Sequence, residues 1–282
     1  MKPNHSGLTK MRFVLCNEVL RHLPFNEQAQ LSAALGYDGL EVAPFTLHPD
    51  APHCLSKDMR NEFRRMAEDV GQPIAGLHWL LVAPSGLSIT EASLHDKTCD
   101  VMRALIDLAV DLGATYLVHG SPAQRKVTFP GDAERAEAAL SKAALHAQSA
   151  GLIYLLEPLD PGQTNWASSL AEALDIVARI GNPALCSMLD VSAAGNGEAE
   201  APDTLLRRHM ASGRITHVHL NDRNRRAPGQ GQDQFAPILR ALTETGYQGI
   251  CGVEPFEYHP DPAACAARAI GYLRGIEEGL ST

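Results

Sequence analysis

The chain has no C-x-x-C pair, no long apolar run, no surplus of basic residues and no G-x-G-x-x-G after its first candidate strand. Each absence removes a class of protein. The six cysteines, Cys16, Cys54, Cys99, Cys186, Cys251 and Cys265, are too scattered for a zinc ribbon or a thioredoxin motif and read as free thiols of a reducing compartment. With 33 acidic against 24 basic residues, the net field repels phosphate backbones, so no nucleic-acid partner is expected. No stretch approaches the roughly 18 apolar residues of a membrane span, and the opening MKPNHSGLTKMRF lacks the apolar core of a secretory signal. A cytoplasmic protein with no membrane partner is therefore expected.

What is present is a repeated alternation. Short apolar, β-branched segments at 12–16, 39–43, 73–79, 115–119, 152–157, 185–190, 215–220 and 249–254 read as strands, and their starts recur at about 27 to 42 residues. That interval holds one strand and one crossover helix. Amphipathic stretches at 57–70, 95–112, 133–150, 168–180 and 235–245 supply helices, and Gly36, Gly71, Gly113, Gly151, Gly181, Gly213 and Gly246 supply left-handed stops between strands. Eight such units in 282 residues predict an α/β protein, a single-domain (β/α)8 TIM barrel over 11–282, preceded by a flexible N-terminal segment at 1–10. An open doubly wound sheet also alternates strand and helix, but it usually has fewer strands and carries a glycine fingerprint that this chain lacks.

Polar residues gather at the C-terminal ends of the predicted strands, the catalytic face of such a barrel: Glu41, His78, His119, Glu157, Asp190, His217, His219 and Glu254. A carboxylate ending an apolar strand, as in LIYLLEP, LCSMLD and GICGVEP, must be paired, cap a helix or bind a cation. Three from separate strands with a histidine on a fourth are best explained by one shared cation, with Glu157, Asp190, His219 and Glu254 as its ligands. This oxygen-rich set suits Mn²⁺, Mg²⁺ or Co²⁺, with zinc possible; the lack of thiolate argues against a structural zinc. His217 shares a strand face with His219 and is expected to support or pack behind it.

These residues resemble the xylose isomerase-like TIM barrel superfamily, in its sugar phosphate isomerase/epimerase branch with ketose 3-epimerases, hydroxypyruvate isomerases and inosose dehydratases. The resemblance spans about the whole chain and rests on LEPLDPGQTNW, MLDV, HVHLNDRNRRAPGQGQ and GVEPF. It implies that Glu157, Asp190, His219 and Glu254 bind the metal and that Glu157 and Glu254 also act as acid and base. Arg225, in the H-x-x-x-x-N-R pattern that starts at His219, is implied to hold a substrate oxygen. The implied activity is a metal-dependent isomerase or epimerase of a small polyhydroxy carbonyl compound, working through an enediolate. A keto-polyol dehydratase and an apurinic-site endonuclease are the alternatives. Barrels of this branch are often dimers or tetramers.

The chain departs from the epimerase pattern at one position: the histidine expected three residues after the sixth-strand aspartate is Ala193. His78 and His119 have three readings, as binders of substrate hydroxyls, as structural residues, or with Glu157 as holders of a second metal as in the endonucleases. Trp79 and Trp166 are candidates for stacking on a sugar face or for packing. Glu41 is a candidate for a substrate hydroxyl or an ion pair, and Arg125 and Lys126 for an anionic substrate tail or solvated loop charge.

Overall fold

Eight short strands emerge where the apolar, β-branched runs lie: β1 (Arg12–Cys16), β2 (Leu40–Val42), β3 (Ile74–Leu77), β4 (Tyr116–His119), β5 (Ile153–Leu156), β6 (Leu185–Asp190), β7 (Ile215–Leu220) and β8 (Ile250–Val253). All pair in parallel in sequence order, and β8 returns to β1 to close the barrel. The structure, a computed structural model, describes residues 10–280. Apart from Lys10, the expected flexible N-terminal segment lies outside the described residues.

The crossovers are α1 (Phe25–Leu35), α2 (Pro44–Leu47), α3 (Lys57–Glu68), α4 (His95–Leu112), α5 (Asp132–Ala150), α6 (Leu170–Ile180), α7 (Val191–Gly197), α8 (Pro202–His209), α9 (Phe235–Glu244) and α10 (Pro262–Leu280). All seven glycine stops hold positive φ, where a side chain would be strained. Ser56 and Ser169 cap α3 and α6 by accepting the Met59 and Glu172 amides. Residues 191–197 form α7. Its VSAAGNG sequence shows no helical period, but the Asp190 side chain accepts the Ala193 amide and starts the turn. No helix among the described residues is long and apolar enough to cross a membrane.

Two apolar layers follow from strand alternation. A large outer layer packs residues such as Leu15, Leu77, Leu117, Leu156, Leu189, Val218 and Val253 against the helices. A smaller cluster of Val14, Ala75, Tyr116, Val118, Leu155, Cys186 and Met188 fills the barrel interior. Gly76 makes room for the Tyr116 ring: a Cβ there would stand 2.2 Å from it. The Tyr116 hydroxyl in turn donates to Glu41 at 2.6 Å. Gly76→Ala is therefore expected to cost about 1–3 kcal/mol through overpacking, read as a lower urea midpoint; an unchanged midpoint would mean that the ring relaxes freely.

Candidate active site

The sixth, seventh and eighth strands bring their polar ends into register, with Asp190 beside His219 and His219 beside Gly252, two residues before Glu254. The residue after β5, Glu157, completes the group: Glu157, Asp190, His219 and Glu254 each offer a ligand atom, all within 4.8 Å of one another. All four are buried. His219 is the pivot. Its Nε2 lies 2.8 Å from Glu41 Oε1, and its Nδ1 lies 3.0 Å from Glu254 Oε2, 3.4 Å from Glu157 Oε1 and 4.0 Å from Asp190 Oδ2.

That Nδ1 is buried and has no well-formed hydrogen bond. With Nε2–H donated to Glu41, Nδ1 faces three carboxylates; it carries a proton while His219 is an imidazolium and would offer its lone pair to a cation that displaces that proton. The donor set of three carboxylates and one imidazole fits a divalent ion of the Mn²⁺ or Mg²⁺ type.

The charge state of the cluster reflects the same need for positive charge. Burial, reinforced by Glu157 and Glu254, pushes the Asp190 carboxyl up to about 7. Burial opposes charge on His219, yet Glu254 and Glu41 hold its imidazolium well above the usual histidine range. Burial likewise opposes ionisation of Glu254, but His219 and His78 draw it down to about 2.

The surrounding side chains fix these four residues. The Asn221 amide donates to Asp190 Oδ2 at 2.8 Å and to the Glu254 carbonyl, while its oxygen accepts the Ser192 amide. Trp79 Nε1 donates to Glu254 Oε1 at 2.7 Å, and Trp79 sits between Phe45 and Phe256. Gly120 leaves space for Glu157: a Cβ there would fall 1.7 Å from its Oε2. A fully buried Arg125 donates from Nη1 to the Glu157 carbonyl at 2.7 Å.

Several expected substrate contacts lie elsewhere. Glu41 is wholly buried beneath the cluster, its oxygens engaged by Tyr116, His217 and His219, so it braces His219 and does not reach the cleft. His78 is also sealed in, with Nδ1 3.2 Å from Glu254 Oε1 and Nε2 3.0 Å from Glu18 Oε2. His119 follows the inward-facing Val118 and so points outward, where Nδ1 meets the Tyr154 hydroxyl at 2.9 Å. Burial and Arg125 push its pKa down to about 3. It therefore neither faces the cleft nor joins Glu157 in a second metal set. Trp166 packs in the outer core.

Arg125 is no solvated loop charge, while Lys126 is exposed. Ala193 is buried; its amide caps Asp190 and its side chain lines a void of about 10 Å³ rather than the open cleft. Glu18 and Asn221 were not anticipated from the sequence: Asn221 continues the two-residue period of 217 and 219 just past the end of β7, whereas Glu18 lies in the 3-10 turn after β1, where strand alternation carries no signal.

Above the four-residue cluster opens a cleft of about 480 Å³, walled by Trp79, Val82, Gln124, Gln163, Arg225 and Phe256, with Glu157, Asp190 and Glu254 also on its lining. Arg225 holds φ 69°, its guanidinium lies 4.6 Å above the Phe256 ring, and its carbonyl accepts the Phe256 and Glu257 amides.

Residues 29–276 match the family model described as xylose isomerase-like TIM barrel, and the chain belongs to that family. It is 31% identical over 238 residues to D-psicose 3-epimerase of Enterocloster bolteae, covering 79% of this chain and 74% of that protein. It is 23% identical over 264 residues to fructoselysine 3-epimerase of Escherichia coli, covering 91% and 94%. In three dimensions it resembles the apo crystal structure of 3-keto-D-glucoside 4-epimerase from E. coli, with a TM-score of 0.78, 19% identity and coverage of 94% and 100%. These relatives are sugar epimerases.

Because Glu41 orients His219, Glu41→Gln is expected to weaken Mn²⁺ binding about 10–100-fold. Titration calorimetry on metal-stripped protein measures this, and unchanged affinity would mean that Glu41 does not support the candidate metal site. Since Asp190 stays protonated below about 7, apparent Mn²⁺ affinity should fall as pH drops from 8 to 6 with proton release on binding, the sign required when a ligand must lose its proton. Affinity independent of pH over that range would contradict it.

Proposed function

We propose that the chain is a divalent-metal-dependent epimerase or isomerase of a sugar or related polyhydroxy carbonyl compound, with Glu157 and Glu254 as its proton-transfer groups. The observation that carries this reading is that both carboxylates belong to the four-residue ligand cluster and also line the cleft, within reach of one another across the site. The family and the epimerase relatives support it.

A divalent ion held by Glu157, Asp190, His219 and Glu254 would supply Lewis acidity that stabilises the negative charge developing on the substrate's carbonyl oxygen. The chain's own groups supply the rest. A carbon beside a carbonyl, set between Glu157 and Glu254, loses its proton to one carboxylate and gains one from the other, which inverts its configuration. Return of the proton to the neighbouring carbon gives isomerisation instead.

The two carboxylates are held differently. Glu254 has one oxygen, Oε1, fixed by Trp79 and approached by His78, while Oε2 lies 3.0 Å from His219 Nδ1. Glu157 is placed through its backbone, by the Arg125 guanidinium and the His119 carbonyl that accepts its amide. Trp79 and Phe256 offer apolar faces suited to the C–H side of a sugar, and the exposed Arg225 guanidinium is available to a substrate oxygen.

Incubation with Mn²⁺, D₂O and a panel of ketoses should incorporate solvent deuterium at the carbon next to the carbonyl. Glu157→Gln and Glu254→Gln should each lower that rate by about 10²–10⁴, the usual contribution of a general acid or base. Undiminished exchange in either variant would remove that residue from the chemistry.

A further inference from the structure

We propose that Glu18 is a positioning residue for Glu254, acting through His78: the pair fixes Glu254 Oε1, so that Oε2 is the oxygen presented to His219. The role rests on the proposed function, in which Glu254 binds the metal and moves a proton.

Three elements meet at one carboxylate. Glu254 follows β8, His78 follows β3, and Glu18 stands in the 3-10 turn Asn17–Leu20 after β1. His78 joins the other two, with Nε2 3.0 Å from Glu18 Oε2 and Nδ1 3.2 Å from Glu254 Oε1. Because the two acids face different nitrogens of the ring, His78 links them as a bridge and does not gather them around a shared ion.

Glu18 has no other visible employment. It is 6% exposed, neither of its side-chain oxygens has a well-formed hydrogen bond, and among the described residues His78 is the one base paired with it. Burying a carboxylate is costly, and an apolar side chain would fill the same space without that cost. Its mount is rigid as well. The preceding Asn17 donates to Gln28 and Thr46 at 2.9 and 2.8 Å and accepts the Ala43 amide at 2.8 Å, which ties the turn to its neighbours.

The backbone beside His78 is bent toward the same oxygen. Successive side chains of a strand point to opposite sides. His78 and Trp79 nevertheless both reach Glu254 Oε1, with Trp79 Nε1 donating at 2.7 Å. Trp79 achieves this convergence at φ 52°, a left-handed conformation that a bulky residue keeps only where its surroundings hold it there. Glu157 has no such bracket: among the described residues its carboxylate pairs with His219 alone.

The test is Mn²⁺ calorimetry on metal-stripped Glu18→Gln, Glu18→Leu, His78→Leu and the double variant Glu18→Leu/His78→Leu, with deuterium exchange into the ketose panel followed at saturating Mn²⁺. Glu18→Gln and Glu18→Leu should each weaken Mn²⁺ binding by about 10-fold or more and slow exchange by a similar factor, the usual effect of losing a group that orients a ligand from behind. Because Glu18 acts through His78, the double variant should match His78→Leu to within about two-fold. Should Glu18→Leu alone fail to fold, Glu18→Gln in the wild-type and His78→Leu backgrounds gives the same comparison. Wild-type Mn²⁺ affinity and exchange in the Glu18 variants overturn the assignment. So does a loss of Mn²⁺ affinity that is equally large with and without His78, which marks a general effect on the fold. If Mn²⁺ affinity follows the expected pattern while no ketose exchanges deuterium even with the wild type, Glu18 stands as a positioning residue of the metal site and the proton-transfer reading falls.

Discussion

Three carboxylates are held in the barrel mouth within a few ångströms of one imidazole nitrogen, nearly buried at the base of the cleft. Like charges so placed cannot all remain ionised unless positive charge stands among them. Much of the upper barrel is arranged around this constraint. His219 faces the carboxylates on one side and is gripped by Glu41 on the other; Glu41 is in turn held by Tyr116 and His217. Gly76 and Gly252 give way so that this column fits, since a side chain at either would strike Tyr116 or the His219–Glu41 pair. The apolar interior ends where this polar column begins.

This division explains which parts were legible in the sequence. All eight strands and all seven glycine stops follow from local pattern because β-branched runs and left-handed caps are local properties. The four proposed ligands stood out because a charged residue is conspicuous at the end of an apolar strand. Position along a strand, however, fixes height in the barrel and says nothing of which wall a side chain faces. His119 shows the consequence: it ends its strand at the right height, but Val118 already takes the inward direction. Glu41 and His78 do point inward, yet they stop one layer below the cleft. Trp166 lies in a loop, where no period gives direction, and it turned into the core.

The site accordingly has two parts with different origins. The floor is made by strand ends, whose register is set by the hydrogen-bonded sheet, and this is where the proposed proton-transfer groups stand. The walls are made by the loops that follow the strands, where Val82, Gln124, Gln163 and Arg225 reside. Loops tolerate replacement far better than strands do. A family can therefore keep one reaction type while its members accept different sugars, in keeping with relatives named for psicose, fructoselysine and a keto-glucoside.

The joint between Arg225 and the loop after β8 crosses that division. The Arg225 carbonyl receives the Phe256 and Glu257 amides, its guanidinium lies on the Phe256 ring, and Phe256 follows Glu254 by two residues. Wall and floor thus share a short length of backbone. A sugar that draws on Arg225 would also load the segment that positions Glu254, a proposed proton-transfer group, so recognition at the rim would be mechanically tied to alignment at the base. Changes in the seventh loop that adapt it to a new substrate would then register in the turnover step as well as in affinity.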